Sequence, residues 1–305
     1  MAKTLIRVVL GLVVVAGLAV AGWVAVSDVE AQSQLTGTWT ATVEKNKDNK
    51  LHLNLERNSK GHRNQMGQTF EFSDLQGLSR EQALSGGAVN FSLVREAGRI
   101  DCEGTFQDGK GSGTFRFTGN LAFVSAMKSR GFDFETGMND DIDDRRGENK
   151  LFAATTLNVT TALADDLASA GFGKLKTEDL FKAAIFKIDS KFMREMKASG
   201  FENLGMEDLV KARIFKIDAE FVRQVSQMGF QKEPFESLVK MQIFKVTPEF
   251  ITEVKNEGLT DLQVEDLVKM RIFKIDANFI REAKADGTPL EVEALVRRRI
   301  GVARR

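Results

Sequence analysis

The chain is 305 residues long but contains no tyrosine, one cysteine and two histidines. Without tyrosine there is no phenolic acid or base. Cys102 alone cannot form an internal disulfide, so each domain must be held by its own core. His52 and His62 have no thiolate cluster beside them, which argues against a metal site. Only Asp, Glu, Ser, Thr and Lys remain as catalysts and no spacing pairs two of them, so we predict no enzyme and no cofactor.

Charge and composition further limit the kind of protein and partner that the sequence allows. The 43 basic residues equal the 43 acidic ones, which gives a formal net charge of zero. No global positive field is therefore present to attract nucleic acid, and we expect no nucleic-acid partner. With 42% hydrophobic and 28% charged residues, the composition is that of a globular chain long enough for two domains.

Residues 1–31 contain a long apolar run. Two basic residues precede Val8–Val26, which no charge interrupts, and small residues stand at the positions that a signal peptidase recognises before a cut after Ala31. This pattern predicts a cleaved signal peptide. The alternative is an uncleaved inner-membrane anchor through residues 5–26, because a run of this length just spans a hydrocarbon core of about 30 Å. Both interpretations predict an exported protein, periplasmic or otherwise extracytoplasmic.

Residues 35–119 alternate apolar and polar side chains, which is the period of half-buried strands. Five segments show this period: Thr36–Lys45, Lys50–Arg57, Val89–Glu96, Arg99–Gln107 and Ser112–Thr118. A short helical turn is expected at 78–84 and a polar loop at 58–64. We predict a small antiparallel β sandwich or barrel with Cys102 on its buried side. An apolar cavity inside it would suit a small apolar ligand.

The remaining residues, 120–305, carry a tandem repeat. Glycines recur every 29 residues, at 171, 200, 229, 258 and 287. This period predicts two-helix units stacked as an α-solenoid. The second helix of each unit is expected to end at the repeated glycine. It is expected to begin at an N-cap residue, namely Thr160, Asp189, Asp218, Thr247 and Asp276.

Apolar positions repeat with the same period and are expected to form the core of the array. These are Leu180, Leu209, Leu238 and Leu267, then Phe192, Phe221, Phe250 and Phe279, and finally Ile185, Ile214, Ile243 and Ile272. We expect all three positions of each unit to be buried against its neighbours.

Two lysine positions recur as well. One set is Lys182, Lys211, Lys240 and Lys269, and the other is Lys187, Lys216, Lys245 and Lys274. The second set directly follows Phe186, Phe215, Phe244 and Phe273. One interpretation is a solvated face whose lysines pair with Glu178, Glu207, Glu236 and Glu265. The other is that the second set and its phenylalanines form a docking surface for an acidic or extended protein partner.

An acidic stretch, 133–148, interrupts the repeat. It contains four aspartates, at 140, 141, 143 and 144, which invite a calcium interpretation. The spacing lacks the glycine at the sixth position and the glutamate at the twelfth that calcium loops use. We therefore expect a solvated loop without a metal.

The repeat units Ile243–Leu259 and Arg271–Gly287, together with the segment Val94–Phe117, resemble a group of bacterial exported proteins. Members of that group pair a small β domain with helical repeats of the form VTPEFIREMKAxGF…LSxEDLVxLRI. Similar repeats are appended to membrane-bound antirepressor (BlaR1-like) metallopeptidases, whose HExxH zinc motif is missing from this chain. The resemblance implies export and a two-part architecture, but no reaction.

These observations favour a non-enzymatic exported scaffold or interaction protein that binds a protein partner through the helical-repeat surface. The alternative is a small-molecule carrier or sensor that uses the β domain. An apolar cavity in that domain would distinguish the two.

Overall fold

The computed structural model describes residues 35–44, 49–59, 62–135, 146–171 and 173–301. Antiparallel strands come first in the described chain and a run of helices follows them. The predicted signal peptide or anchor at 1–31 and the four aspartates of the predicted acidic loop, at 140, 141, 143 and 144, lie outside the described residues. Within the described part of the chain, no helix has both the length and the apolar character that crossing a membrane requires.

The strands form a single antiparallel sheet. They are β1 Leu35–Val43, β2 Lys50–Ser59, β3 His62–Glu71, β4 Leu75–Gln76, β5 Gly87–Arg95, β6 Gly98–Gln107 and β7 Lys110–Gly119. Their order, β3-β2-β1-β7-β6-β5-β4, makes a half-barrel. The predicted antiparallel β region is thus confirmed, as one open sheet rather than two packed sheets. A short helix, α1 (Arg80–Ser85), lies between β4 and β5 near the predicted helical turn.

The loop predicted at 58–64 is wrong. Strand β2 continues to Ser59, and β3 begins at His62 and pairs with β2 along its whole length. Strand β3 lies at one edge of the sheet, and its sequence, HRNQMGQTFE, is mostly polar. Because the core needs few side chains from an edge strand, the alternation that reveals the other strands is missing here.

The described helices after the sheet are α2 Leu121–Ser129, α3 Arg146–Leu157, α4 Thr161–Ser169, α5 Thr177–Phe186, α6 Ser190–Ala198, α7 Met206–Ile214, α8 Ala219–Gln227, α9 Phe235–Ile243, α10 Pro248–Asn256, α11 Val264–Ile272, α12 Ala277–Ala285 and α13 Val292–Arg299. From α5 on, each repeat unit holds a first helix (α5, α7, α9, α11) and a second helix (α6, α8, α10, α12). A helix of nine or ten residues is marginal alone, so each unit depends on its neighbours.

The predicted boundaries of the second helices are confirmed. All five predicted N-caps accept a hydrogen bond from a backbone N–H two or three residues into the helix, as Asp218 does from Phe221 at 2.9 Å. Pro248 occupies the first turn of α10. The repeated glycines adopt positive φ, between 70° and 98°. Local capping chemistry therefore sets where these helices begin and end.

The helices pack in two rows that continue the core of the sheet. First helices contact first helices, as α3 does α5, α5 does α7 and α9 does α11, while second helices form the other row, as in α4 with α6. At the start of the array, Phe152 of α3 stacks on Phe115 of β7 at 5.5 Å between ring centroids and meets Phe117 edge-on at 5.4 Å. The apolar core thus runs from the sheet into the helices.

One predicted core position is wrong. Leu180, Leu209, Leu238 and Leu267 are almost fully buried. In contrast, Ile185, Ile214, Ile243 and Ile272 are 50%, 53%, 49% and 52% exposed. Each of these isoleucines lies in the last turn of a first helix, on the solvent-facing side of that helix. Equal spacing in the sequence was therefore not evidence of burial at this position.

Cys102 is buried on β6 as predicted, at 2% exposure. Burial raises the pKa of its thiol to about 12, and the Asp101 carboxylate adds to the shift.

Because the unfolded thiol of Cys102 ionises at about pH 8.5, the unfolded chain loses this proton first as pH rises, and the free energy of unfolding should fall above about pH 9. Cys102→Ala should remove the part of this fall in the free energy of unfolding that comes from the thiol. Urea unfolding of both proteins at pH 8, 9 and 10 measures how the free energy of unfolding changes with pH. The same change in wild type and in the alanine variant would contradict this account.

Candidate docking surface along the helical repeats

The same tripeptide, Ile-Phe-Lys, ends the first helix of four successive units. The four copies are 185–187, 214–216, 243–245 and 272–274. The phenylalanine is half-buried and packs against the core, whereas the isoleucine before it and the lysine after it are exposed. We call the eight exposed residues the Ile–Lys band: Ile185, Ile214, Ile243 and Ile272 with Lys187, Lys216, Lys245 and Lys274.

Helical geometry places each isoleucine of the band on an outward face shared with charged residues. In α7, Glu207, Lys211 and Ile214 are separated by four and three residues, so they lie above one another along one side of the helix. Leu209 and Ala212, on the opposite side, are fully buried. Because consecutive first helices are neighbours, equivalent isoleucines form a row that runs along the array.

The first lysine set, which borders this row, is paired between units. Each lysine reaches a glutamate of the next helix in this row, which for the last lysine is α13: Lys182 with Glu207 at 2.5 Å, Lys211 with Glu236, Lys240 with Glu265 at 2.8 Å, and Lys269 with Glu293. These hydrogen bonds raise the pKa of each lysine. Exposed pairs of this kind add little stability. They do show that this lysine set is engaged in joining one unit to the next.

The second lysine set differs, since no ion pair forms at these four side chains with any residue that the structure describes. Lys187, Lys216, Lys245 and Lys274 are exposed. The nearest acidic residues in sequence, such as Asp218 two positions after Lys216, accept backbone N–H groups at the next helix start. This row of cations therefore faces solvent beside the exposed isoleucines.

The backbone of these lysines is left-handed, with φ between 52° and 55°. Each follows the end of a first helix, and the next residue closes a Schellman-type bond, as Ile217 N–H does to the Ala212 carbonyl at 2.8 Å. Glycine is the usual residue here because it has no Cβ, and asparagine is tolerated because its short polar side chain hydrogen-bonds locally, whereas other side chains cost about 1–2 kcal/mol in this conformation. The chain uses them at both ends of the array, as Asn158 (φ 56°) and Gly301 (φ 74°). Helix termination alone would therefore favour glycine or asparagine over lysine in the four central units.

Replacing the four band lysines by asparagine, as at Asn158, should lower the free energy of unfolding by no more than about 1 kcal/mol. Relief of the left-handed backbone offsets the lost attraction of each cation to the helix C-terminus, about 0.3–1 kcal/mol. The matched alanine variant loses the charge and keeps the backbone cost, so it should be less stable than the asparagine variant. Urea unfolding followed by far-UV circular dichroism measures both. An asparagine variant that lost more than about 3 kcal/mol would make these lysines structural.

Arginines of the following unit hold the ends of the first helices, an arrangement that the sequence analysis missed. Arg213 lies over the Phe192 ring at 3.7 Å from its centroid and donates to the Lys187 carbonyl at 2.7 Å. Arg271 lies over Phe250 at 4.8 Å and donates to the Phe244 carbonyl at 3.2 Å. Such bonds satisfy carbonyls that a helix end leaves free. The recurrence of arginine at equivalent positions of two units, 213 and 271, was the available signal.

A cleft of about 320 Å³ lies where β2 and β3 meet α3. It is lined by Leu55, Arg57, Gln65, Met66, Asn149 and Phe152. Arg57 is only 5% exposed, donates to the Asn149 side chain and lies 5.8 Å from the Phe152 ring centroid. The cleft combines apolar walls with a buried cation, so it is a second place where a ligand could be held.

The described residues contain no group of three or more His, Cys, Asp and Glu side chains placed to hold a metal ion. His52 lies on β2, exposed, with its Nδ1 3.2 Å from the Thr69 hydroxyl. Comparison of the chain with protein-family models, with curated proteins and with solved structures finds no match in any of the three. The resemblance of the repeats to those of exported bacterial proteins stays a prediction.

Proposed function

We propose that this chain is a non-enzymatic, exported interaction or scaffold protein whose helical repeats form an α-solenoid and bind a protein partner through the Ile–Lys band. The observation that carries the proposal is the band itself: four half-exposed isoleucines that recur once per unit, each two residues before an exposed lysine. Isolated exposed apolar residues are common on soluble proteins. Exposed apolar surface that is rimmed by polar residues marks interaction sites, and a regular row of isoleucines supplies such surface in every unit.

The lysine conformation supports the same proposal. Strained backbone positions often occur where function requires a particular side chain. Four successive units accept a left-handed lysine where the first and last units have asparagine and glycine. Each lysine of the first set has a carboxylate partner in the next unit and so joins the two units, whereas the lysines of the second set have no such partner among the described residues. A different use for the unpaired set is consistent with both facts.

Export remains part of the proposal and rests on the sequence of residues 1–31.

The phenylalanines of the tripeptide support the band, since each is half-buried and packs against the core. They are Phe186, Phe215, Phe244 and Phe273. We therefore assign direct contact with the partner to the isoleucines and lysines, and assign the phenylalanines the role of holding them in place.

A second candidate function is binding of a small molecule in the cleft between the sheet and α3. Buried Arg57 beside Leu55, Met66 and Phe152 favours an amphipathic ligand with an anionic group. The volume, about 320 Å³, is at the lower end of the range for ligand sites.

Cross-linking capture from the native envelope, with purified binding as confirmation, tests the proposed function. The test variant carries Lys187→Glu, Lys216→Glu, Lys245→Glu and Lys274→Glu. The matched control carries Lys110→Glu, Lys174→Glu, Lys197→Glu and Lys232→Glu, which are exposed lysines outside the band that form no ion pair with the described residues. Both variants change the net charge equally, so a difference between them comes from the position of the charges.

We expect one protein to be captured by wild type and by the control, lost from the band variant, and bound with at least tenfold lower affinity by the purified band variant. Equal capture by all three would overturn the proposal. Binding of an anionic amphiphile that Arg57→Leu abolishes would then favour the small-molecule function.

A further inference from the structure

We infer that the partner segment recognised by the Ile–Lys band is an extended acidic peptide in a polyproline II conformation, with an apolar residue at every third position. This inference rests on the proposed function and specifies the chemistry of the partner. It follows from three properties of the band: its repeat distance, its single-residue width and its unpaired cations.

The repeat distance is set by helix packing. The first helices α5 and α7 are in contact, as are α9 and α11, and ion pairs join successive units, such as Lys182 to Glu207 at 2.5 Å and Lys240 to Glu265 at 2.8 Å. Packed helix axes lie about 8–10 Å apart. Equivalent isoleucines on successive helices are therefore spaced at about this distance.

A polyproline II helix matches this spacing. It has three residues per turn and rises about 3.1 Å per residue, so residues three apart lie on one side at about 9.3 Å. A β-strand also covers about 10 Å over three residues, but residues three apart in a strand point to opposite faces. Every second apolar side chain would therefore face away from the band. An α-helix needs seven residues for about 10.5 Å, and its apolar stripe is wider than one residue.

The width of the band favours the same choice. Each unit offers one exposed isoleucine, bordered by the Lys–Glu pairs on one side and by the unpaired lysine on the other. One apolar contact per unit fits a peptide that presents one apolar side chain per turn. A helical partner would place the rest of its apolar stripe over the Lys–Glu pairs, which it would have to desolvate.

Charge complementarity sets the other positions of the peptide. Lys187, Lys216, Lys245 and Lys274 have no ion pair with the described residues, so carboxylates between the apolar positions would meet one lysine per unit. Because these pairs form at the exposed edge of the band, binding should weaken as salt screens them.

The direct test uses the full chain and fluorescein-labelled synthetic peptides, read by fluorescence anisotropy. The probe is five repeats of Leu-Asp-Pro. One control peptide has the same composition with leucine at alternating two- and four-residue spacing, another has lysine in place of aspartate, and a third is an acidic amphipathic helix with leucine at heptad spacing. Vesicles of phosphatidylcholine and phosphatidylglycerol in equal parts form a further arm.

We expect saturable binding of the Leu-Asp-Pro peptide, at least tenfold weaker binding of the respaced peptide, and no binding of the lysine peptide. Replacing the four isoleucines by serine, or the four band lysines by asparagine, should each weaken binding at least tenfold. Leu121→Ser, which changes a 52% exposed leucine outside the band, should leave it unchanged.

Equal binding of the respaced peptide, preference for the amphipathic helix, or binding to vesicles alone would overturn the inference. Failure of the peptide while a captured protein still depends on the band lysines would leave the proposed function standing and refute only the peptide chemistry. Failure of both would refute both.

Discussion

Replacing Trp39 by alanine should lower the free energy of unfolding by about 3–5 kcal/mol. Trp39 is 1% exposed in the middle of the sheet, and its ring centroid lies 5.2 Å from that of Phe91 and 5.6 Å from that of Phe106. Its indole N–H donates to the Glu103 carbonyl at 3.2 Å. A Cβ added at Gly104 of β6 would lie 2.7 Å from the indole, so β6 is fitted closely to this ring. Urea unfolding followed by circular dichroism measures the loss.

Trp39→Phe provides the graded control. It keeps an aromatic ring and removes the hydrogen bond and part of the volume, so it should cost less than the alanine variant. If alanine and phenylalanine variants were equally stable, or if alanine cost under about 1 kcal/mol, the sheet core would not be organised around this residue.

Replacing Leu209 by alanine should cost about 2–5 kcal/mol, while Ile214→Ala in the same helix should cost under about 1 kcal/mol. Both changes remove a branched aliphatic side chain from α7, but Leu209 is 0% exposed and Ile214 is 53% exposed. Because the two positions were expected to be equally buried from their repeat spacing, this pair measures the difference that the fold introduces. Thermal unfolding of the two variants under identical conditions provides the comparison.

The second part of that prediction concerns binding. Ile214→Ala should weaken a partner that docks on the band, whereas Leu209→Ala should affect binding only through stability and recover at lower temperature. If Ile214→Ala destabilised the chain as much as Leu209→Ala, the isoleucine row would be part of the core and not of a docking surface.

What could be predicted from the sequence was mostly local. An N-cap such as Asp218 satisfies backbone groups two or three residues away, and a glycine such as Gly229 ends its own helix, so short-range chemistry was sufficient. The alternation in β5 to β7 likewise predicted consecutive antiparallel strands. These features needed no knowledge of how distant segments meet.

What was missed depends on contacts between distant segments. The exposure of Ile214 follows from where α7 packs against its neighbours, which repeat spacing does not contain. Arg213 meets Phe192 and the Lys187 carbonyl, both in the preceding unit, so neither contact has a local pattern. Strand β3 is polar because it is an edge. The left-handed lysines could have been found, since Asn158 stands one repeat before Lys187 in the same register.

The measurement that tests the central claim most directly is methyl NMR of the full chain labelled at isoleucine δ1, titrated with the Leu-Asp-Pro peptide. The band isoleucines, Ile185, Ile214, Ile243 and Ile272, are half-exposed, while Ile100 of the sheet and Ile217 of the array are buried. The account predicts that the four band methyls shift together with one affinity and that Ile100 and Ile217 stay in place. Shifts confined to Ile100, or saturating shifts that leave the band unchanged, would contradict it.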